Sequence, residues 1–399
     1  MIRQRSALWA LLGSVLLAAC GGDDVTVPGT TPPTGAPTAK GNFTSLVSFG
    51  DSLSDQGSYA PATSLSGNGQ APFFGGKFTV NLDHNGGTIW VENLATTLGL
   101  AVFPAEMGFA GQSVKCPVKF VVPAAAALCT SYGQGGSRVT NPAGIGNNGG
   151  AGALTVPMVK QIDNHLAAFG GKFNATDLIV VWGGNNDVFV QFGAFGAAAA
   201  AIQADAMAGK IGADEANKRL YDAQTAAQEG MKRAAQELTG YVRDKILAKG
   251  GKYVTVFNLP DSSLTPFGST LPVDARGVLT TLVDTFNLWL RDGLGGQPVK
   301  LVDQNTAGKA VHANPGQYGL TVNTVPTCDA TVISAITGGA VTDGSSLFCN
   351  GTPGVGYYGL RAGANLNTWQ FADGVHPTPG GHKVISDYVT SQLRAFGWI

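Results

Sequence analysis

Four short stretches hold residue types that can perform nucleophilic chemistry. The first is Ser48-Phe49-Gly50-Asp51-Ser52-Leu53-Ser54-Asp55, where Ser52 directly follows a short apolar run. A nucleophilic serine needs a tight turn at a strand end, so that its Oγ projects and its own N–H points into the same space. Gly50 permits such a turn, although Gly-Asp-Ser alone is equally an ordinary turn. The second is Asp373-Gly374-Val375-His376-Pro377-Thr378. A carboxylate three residues before a His can accept Nδ1–H within one loop, leaving Nε2 free as a base. His84, His165, His312 and His382 lack such a neighbour, and His382 reads as structural. The third is Trp182-Gly183-Gly184-Asn185-Asn186-Asp187, an amide at the end of an apolar run and a good donor to a developing oxyanion. A turn with a left-handed Asn has the same composition. The fourth, Tyr132-Gly133-Gln134-Gly135-Gly136-Ser137, is a Gly-rich loop whose N–H groups could line an anion site.

Positioning these groups requires elements that end where they begin. Residues 46–49, 178–182, 253–257 and 299–302 read as strands, each short, β-branched or aromatic, and closed by Gly, Asn or Asp. A long helix lies between the second and third. Its apolar positions Leu220, Ala223, Ala227, Met231, Ala234, Leu238, Val242 and Ile246 step by three or four. Asp214 could cap its start and Gly250-Gly251 stops it. Further helices are expected over 282–290 and 381–396. Strands alternating with helices predict a parallel sheet covered on both faces, with reactive groups at the strands' carboxyl ends. Residues 104–160 and 313–368 lack periodicity and read as long surface excursions over the site's rim.

The start of the chain reads as targeting rather than fold. Arg3 and Arg5 precede the apolar run 7–17, too short to span a bilayer. The run ends in Leu17-Ala18-Ala19-Cys20, similar to a bacterial lipobox in which Cys20 is acylated. Gly21 after the Cys favours the outer membrane, on its periplasmic side or at the cell surface. Residues 21–41, rich in Pro, Thr and Gly, read as a disordered tether, leaving 42–399 as the folded domain. No other hydrophobic run is long enough to cross a membrane. Charged residues make up only 13% of the chain. Since 2 of its 25 basic side chains belong to the leader, the mature body carries about −3 and has no basic stripe for nucleic acid. Cys116, Cys129, Cys328 and Cys349 argue for two disulfides, with three pairings open. No cysteine or histidine spacing fits a metal.

Together and in this order, the four stretches resemble the GDSL family, the SGNH hydrolases. Secondary resemblances lie in Phe78-Thr79 with Asn85-Gly86 and Trp90, in Asn258-Leu259-Pro260 with Thr265-Pro266, and in Asn314-Pro315 with Tyr318-Gly319 and Trp369. The similarity spans about 43–397. It implies a three-layer α/β/α sandwich, flavodoxin-like, with a five-stranded parallel sheet. It also implies Ser52 as nucleophile, His376 as general base and Asp373 as its orienting carboxylate. The N–H groups of Ser52 and Gly136 with the Asn186 amide would form the oxyanion hole. The Gly block departs from the usual Asn-x-Ala-x-Gly-Gly, which leaves Gly135 an alternative to Gly136. An ordinary α/β-hydrolase is disfavoured, because Gly50-Asp51-Ser52-Leu53-Ser54 lacks the second Gly of G-x-S-x-G. The implied protein is a monomeric esterase or lipase needing no cofactor. Its rivals are a lipid acyltransferase with the same site and a non-catalytic binding lipoprotein. Residues 71–78 are compatible with an apolar acyl pocket or with a plain loop.

Overall fold

Four runs of β-branched and aromatic residues pair in parallel at the centre of the computed structural model, which describes residues 31–67, 75–83, 87–109, 111–147, 154–354 and 358–399. Cys20, His84 and Asn85-Gly86 lie outside the described residues. The strands are β1 (Ser45–Gly50), β2 (Asp177–Trp182), β3 (Tyr253–Phe257) and β4 (Lys300–Val302), side by side in that order. Their register places Gly50 opposite Trp182 and Phe257 opposite Val302, so the carboxyl ends of neighbouring strands lie level. β2 and β3 are buried along their whole length, as a sheet covered on both faces requires.

The fifth strand implied by the resemblance is reduced to a single bridge. Ser131 lies parallel to Ser48, with Ser48 N–H donating to Thr130 O at 2.9 Å and Tyr132 N–H to Ser48 O at 2.8 Å. Pro104 bridges Ser131 in turn but has no N–H with which to extend the ladder. At Gly133 the chain leaves the sheet, so close to the turn after Ser52 that a Cβ would stand 2.7 Å from Ser54 O. The 131 segment lies on one side of β1 and β2 on the other. The order therefore reverses at β1, and a crevice opens at the carboxyl end that carries Ser52.

Among the described residues the longer helices around the sheet include α1 (Trp90–Thr97), α2 (Met158–Ala168), α3 (Asn185–Met207), α4 (Ala213–Tyr241), α5 (Val273–Gly293), α6 (Gln304–Ala313) and α7 (Pro379–Ala395). α1 packs on α7, while α3, α4 and α5 pack together. The right-handed crossovers that parallel strands favour would put the two groups on opposite faces. Trp90, Trp182 and Phe257 meet beneath the site with ring centroids 5.2 to 5.7 Å apart. The α4 stripe is buried as its periodicity predicts, from Leu220 to Leu238, and continues through a π turn over Val242–Ile246. Gly250, at φ +94°, stops it. Asp214 lies inside the first turn after the cap Gly212, where its charge favours the helix dipole rather than a capping bond.

Two expectations change. α3 is long and apolar enough to cross a membrane, contrary to the reading of the sequence. Its first turn, however, is buried beside Ser52, and its flank packs on α4 and α5. The tether is docked over its described part. Residues 31–41 have no regular structure, yet Gly296 N–H donates to Pro32 O at 3.1 Å, Gly41 N–H to Trp398 O at 2.8 Å, and Trp398 Nε1–H to Pro37 O at 2.7 Å. The buried Trp398 indole needs an acceptor, and the Pro37 carbonyl supplies it.

The two aperiodic excursions are irregular but stapled. Disulfides join Cys116 to Cys129 and Cys328 to Cys349, the sequence-local pairing. The second sits in a small separate core with Val80, Ile333, Leu360 and Ala372. Ile145 from one excursion and Asp343 and Ser345 from the other line the cleft that holds Ser52.

Candidate active site

β1 delivers Ser52 into the crevice through a turn whose parts are all buried. Gly50 is required there by close approach: a Cβ would stand 2.5 Å from Trp182 O. Asp51 Oδ1 accepts Leu53 N–H at 3.1 Å, closing the 3-10 turn Ser52–Ser54 that presents Oγ. From the far end of the chain, the loop before α7 brings His376. Nε2 of His376 lies 2.8 Å from Ser52 Oγ, and Nδ1 lies 2.8 Å from Asp373 Oδ2 and 3.0 Å from Oδ1. An ionised carboxylate only accepts, so the neutral ring carries its proton on Nδ1 and offers Nε2 to the Ser52 hydroxyl.

Asp373 is held as an anion by its own loop and by a neighbour. Its Oδ1 accepts the backbone N–H groups of Val375 and His376 at 2.9 and 2.8 Å, and Oδ2 accepts Ser346 N–H at 2.8 Å. Burial pushes its pKa up, but the adjacent imidazole and these donors outweigh burial and hold it well below the usual carboxylate range. For His376, burial pulls down while the Asp373 carboxylate pulls up more strongly, so the ring lies above its ordinary value. Phe78 covers the ring with centroids 4.9 Å apart. Of the stretch 71–78, residues 71–74 lie outside the described residues.

Asn186 opens α3 one residue beyond its N-terminus. Gly184 caps it at φ +117°, and a Cβ there would meet the Phe286 ring at 2.6 Å. The Asn186 amide donates to Ser137 O at 2.8 Å, and the residue lines the same cleft of about 450 Å³ as Ser52 and His376. Asp187 binds Arg138 Nε at 2.8 Å and Val139 N–H at 2.9 Å, lashing the Gly block to the Asn block. Within that block Gly135 N–H is committed to Asp55 Oδ2 at 2.8 Å, which leaves Gly136 N–H as the freer donor. Gly136 adopts φ +77° and does not itself line the cleft; Ile145, whose N–H bonds Gly136 O, does.

The GDSL-like lipase/acylhydrolase family model matches residues 46–389. The chain belongs to this family. No curated protein matches its sequence. As a GDSL hydrolase it is a member of a group of esterases, lipases and acylhydrolases, and its three-layer architecture agrees with that membership.

Several supports of this GDSL site carry no motif of their own. Gln161 of α2 brackets the peptide before the Ser52 turn, accepting Gly50 N–H at 2.9 Å and donating to Gly50 O at 2.8 Å. It sits in a buried stripe with Met158, Ile162 and His165, and a lone amide in such a stripe is the one signal the sequence offered. Asn185 donates to Asp51 Oδ2 at 3.0 Å, joining the serine turn to α3, and burial lifts Asp51 to about 6. His165, stacked between Phe169 and Phe173, and His382 are both pressed by burial well below the ordinary histidine value, to about 4 and about 3, as structural neutral rings are.

The Cys328–Cys349 disulfide ties together both sides of the Asp373 clamp. Cys328 N–H donates to the carbonyl of Ala372, the residue before Asp373. Three residues before Cys349 stands Ser346, whose N–H binds Asp373 Oδ2, and Asn81 Nδ2 fastens Ser346 O at 3.1 Å. Replacing Cys328 and Cys349 together by Ser should cost about 3 kcal/mol of stability. It should also lower kcat/KM about tenfold, the worth of one hydrogen bond to a charged group. Replacing Cys116 and Cys129 should cost similar stability and leave kcat/KM within about twofold. Thermal melts paired with kinetics below both transitions test the contrast; equal kinetic losses would contradict it.

Proposed function

We propose that this GDSL hydrolase cleaves carboxylic esters by transferring the acyl group to Ser52 and then to water. The observation that carries the reading is the continuous path Ser52 Oγ, His376, Asp373 with both contacts at 2.8 Å. His376 Nε2 takes the Oγ proton as Oγ attacks the ester carbonyl. The oxyanion that forms faces the Ser52 N–H group and the Asn186 amide, while Asp373 stabilises the imidazolium. His376 then protonates the leaving alcohol, and the same sequence with water as nucleophile releases the acid. The test is hydrolysis of a short p-nitrophenyl ester. Asn186→Ala should lower kcat about 10²–10³-fold with little change in KM, the cost of one oxyanion donor. A KM effect alone would remove Asn186 from this role. Incubation with a lipid donor and an added alcohol separates hydrolysis from acyl transfer: free acid as the main product supports the proposal, and an alcohol ester as the main product supports an acyltransferase.

The leader with Cys20 supports export and lipid anchoring at the outer membrane, and the two disulfides fit an oxidising compartment. Mass spectrometry of the mature N-terminus tests this. An acylated Cys20 supports the anchor, and an unmodified terminus elsewhere contradicts it.

A further inference from the structure

Behind the catalytic cleft lies a second cavity of about 310 Å³. Leu53, Pro260, Thr265 and Val375 line both spaces, so the two share a wall built from the residue after the nucleophile and the residue before His376. Beyond that wall the lining is mainly aliphatic and aromatic: Ala307 and Val311 of α6, Val384 and Ile385 of α7, with Leu264 and Phe371. The carboxylate that borders it, Asp261, is already engaged by Ser263 N–H at 3.0 Å and Thr280 Oγ1 at 3.2 Å. Gln304 Nε2, His312 Nδ1 and Gln370 Oε1 of the lining are themselves buried and unpaired, so the recess offers a ligand mainly apolar burial.

We propose that this cavity seats the acyl chain of the substrate, and that the enzyme prefers unbranched aliphatic acyl groups of medium length. The inference rests on the ester-hydrolase reading above and names its substrate class. The acyl group stays on Ser52 between the two steps, so a seat beside Leu53 stabilises the reacting species throughout, whereas the alcohol must escape to solvent. At roughly 30 Å³ for a water-sized group, the volume holds on the order of ten methylenes. Each buried methylene should raise kcat/KM by about fourfold until the cavity is full.

The test is a series of p-nitrophenyl esters from acetyl to hexadecanoyl, run on the wild type and on Val384→Trp and Ala307→Trp, which fill the cavity from two different helices. The expected result is a rise in kcat/KM from acetyl to octanoyl or decanoyl followed by a fall. In each variant the octanoyl-to-acetyl ratio should drop at least tenfold. A wild-type profile that declines beyond butanoyl, or variants that keep the wild-type ratio, would overturn the inference. So would length dependence that appears only when the alcohol of an acetyl ester is varied. Octanoic acid supplies a readout independent of turnover: it should raise the melting temperature of the wild type more than that of Val384→Trp. If no ester is hydrolysed but this difference holds, the hydrolase reading fails and the cavity assignment stands; equal shifts overturn the cavity assignment.

Discussion

Ser52→Ala should lower kcat/KM for a short p-nitrophenyl ester by about 10⁶, with His376→Ala close behind, and the double variant should be no worse than either single one. The non-additivity is the informative part. In the proposed mechanism Ser52 Oγ and His376 Nε2, 2.8 Å apart, act as one proton-transfer unit, so removing either partner disables both. Ser52 sits in a turn held by Asp51, Asn185 and Gln161 rather than by its own hydroxyl. The Ser52→Ala melting temperature should therefore move by no more than about 2 °C. Additive losses, or a large stability change that accounts for the lost activity, would show that the hydroxyl has another role.

Asp373→Asn should cost about 10⁴ in kcat, because an amide can donate to Nδ1 and favour the wrong tautomer. It should also move the pH profile. His376 must be neutral to accept the serine proton, so kcat/KM rises with pH through the His376 pKa. The Asp373 carboxylate holds that pKa above the ordinary value of 6.5, placing the wild-type acid limb above it. Without the negative charge, burial dominates and the limb should shift to lower pH. A limb that stays in place in Asp373→Asn would assign the titration to another group, with Asp51, lifted to about 6 by burial, the first to examine.

What the sequence reveals depends on whether a residue's role is written in its neighbours. Asp373 and His376 lie three positions apart in one loop, so spacing alone proposes their contact, and 3.0 and 2.8 Å separate Nδ1 from the carboxylate oxygens. β1, β2 and β3 were legible because short runs of branched and aromatic residues can be buried on both faces only in a sheet centre. α4 was legible because its stripe keeps a helical step for more than 25 positions. α3 was not: its Phe-Gly-Ala-Phe-Gly-Ala-Ala-Ala-Ala-Ala stretch alternates no polar face with an apolar one, so no period emerges. The edge pairing at Ser131 was invisible because it involves one residue, beside a proline on one side and a glycine turn on the other.

Ser346 shows the deeper limit. It serves Asp373 through a backbone N–H that any residue but proline possesses, so nothing in its identity signals the contact. Only the fold, with the Cys328–Cys349 bridge and Asn81 holding that peptide in place, reveals it. Gly136 is intermediate. The resemblance names it with Gly135 as the alternative; Gly135 N–H is bound to Asp55, and Gly136 itself does not line the cleft.

The most direct measurement on the central claim is labelling with a fluorophosphonate, which reacts only with an activated serine, followed by peptide mapping. One adduct per chain on Ser52, absent from Ser52→Ala and strongly slowed in His376→Ala, is the predicted result. An adduct on another serine, or undiminished ester hydrolysis in Ser52→Ala, would contradict the assignment of the nucleophile.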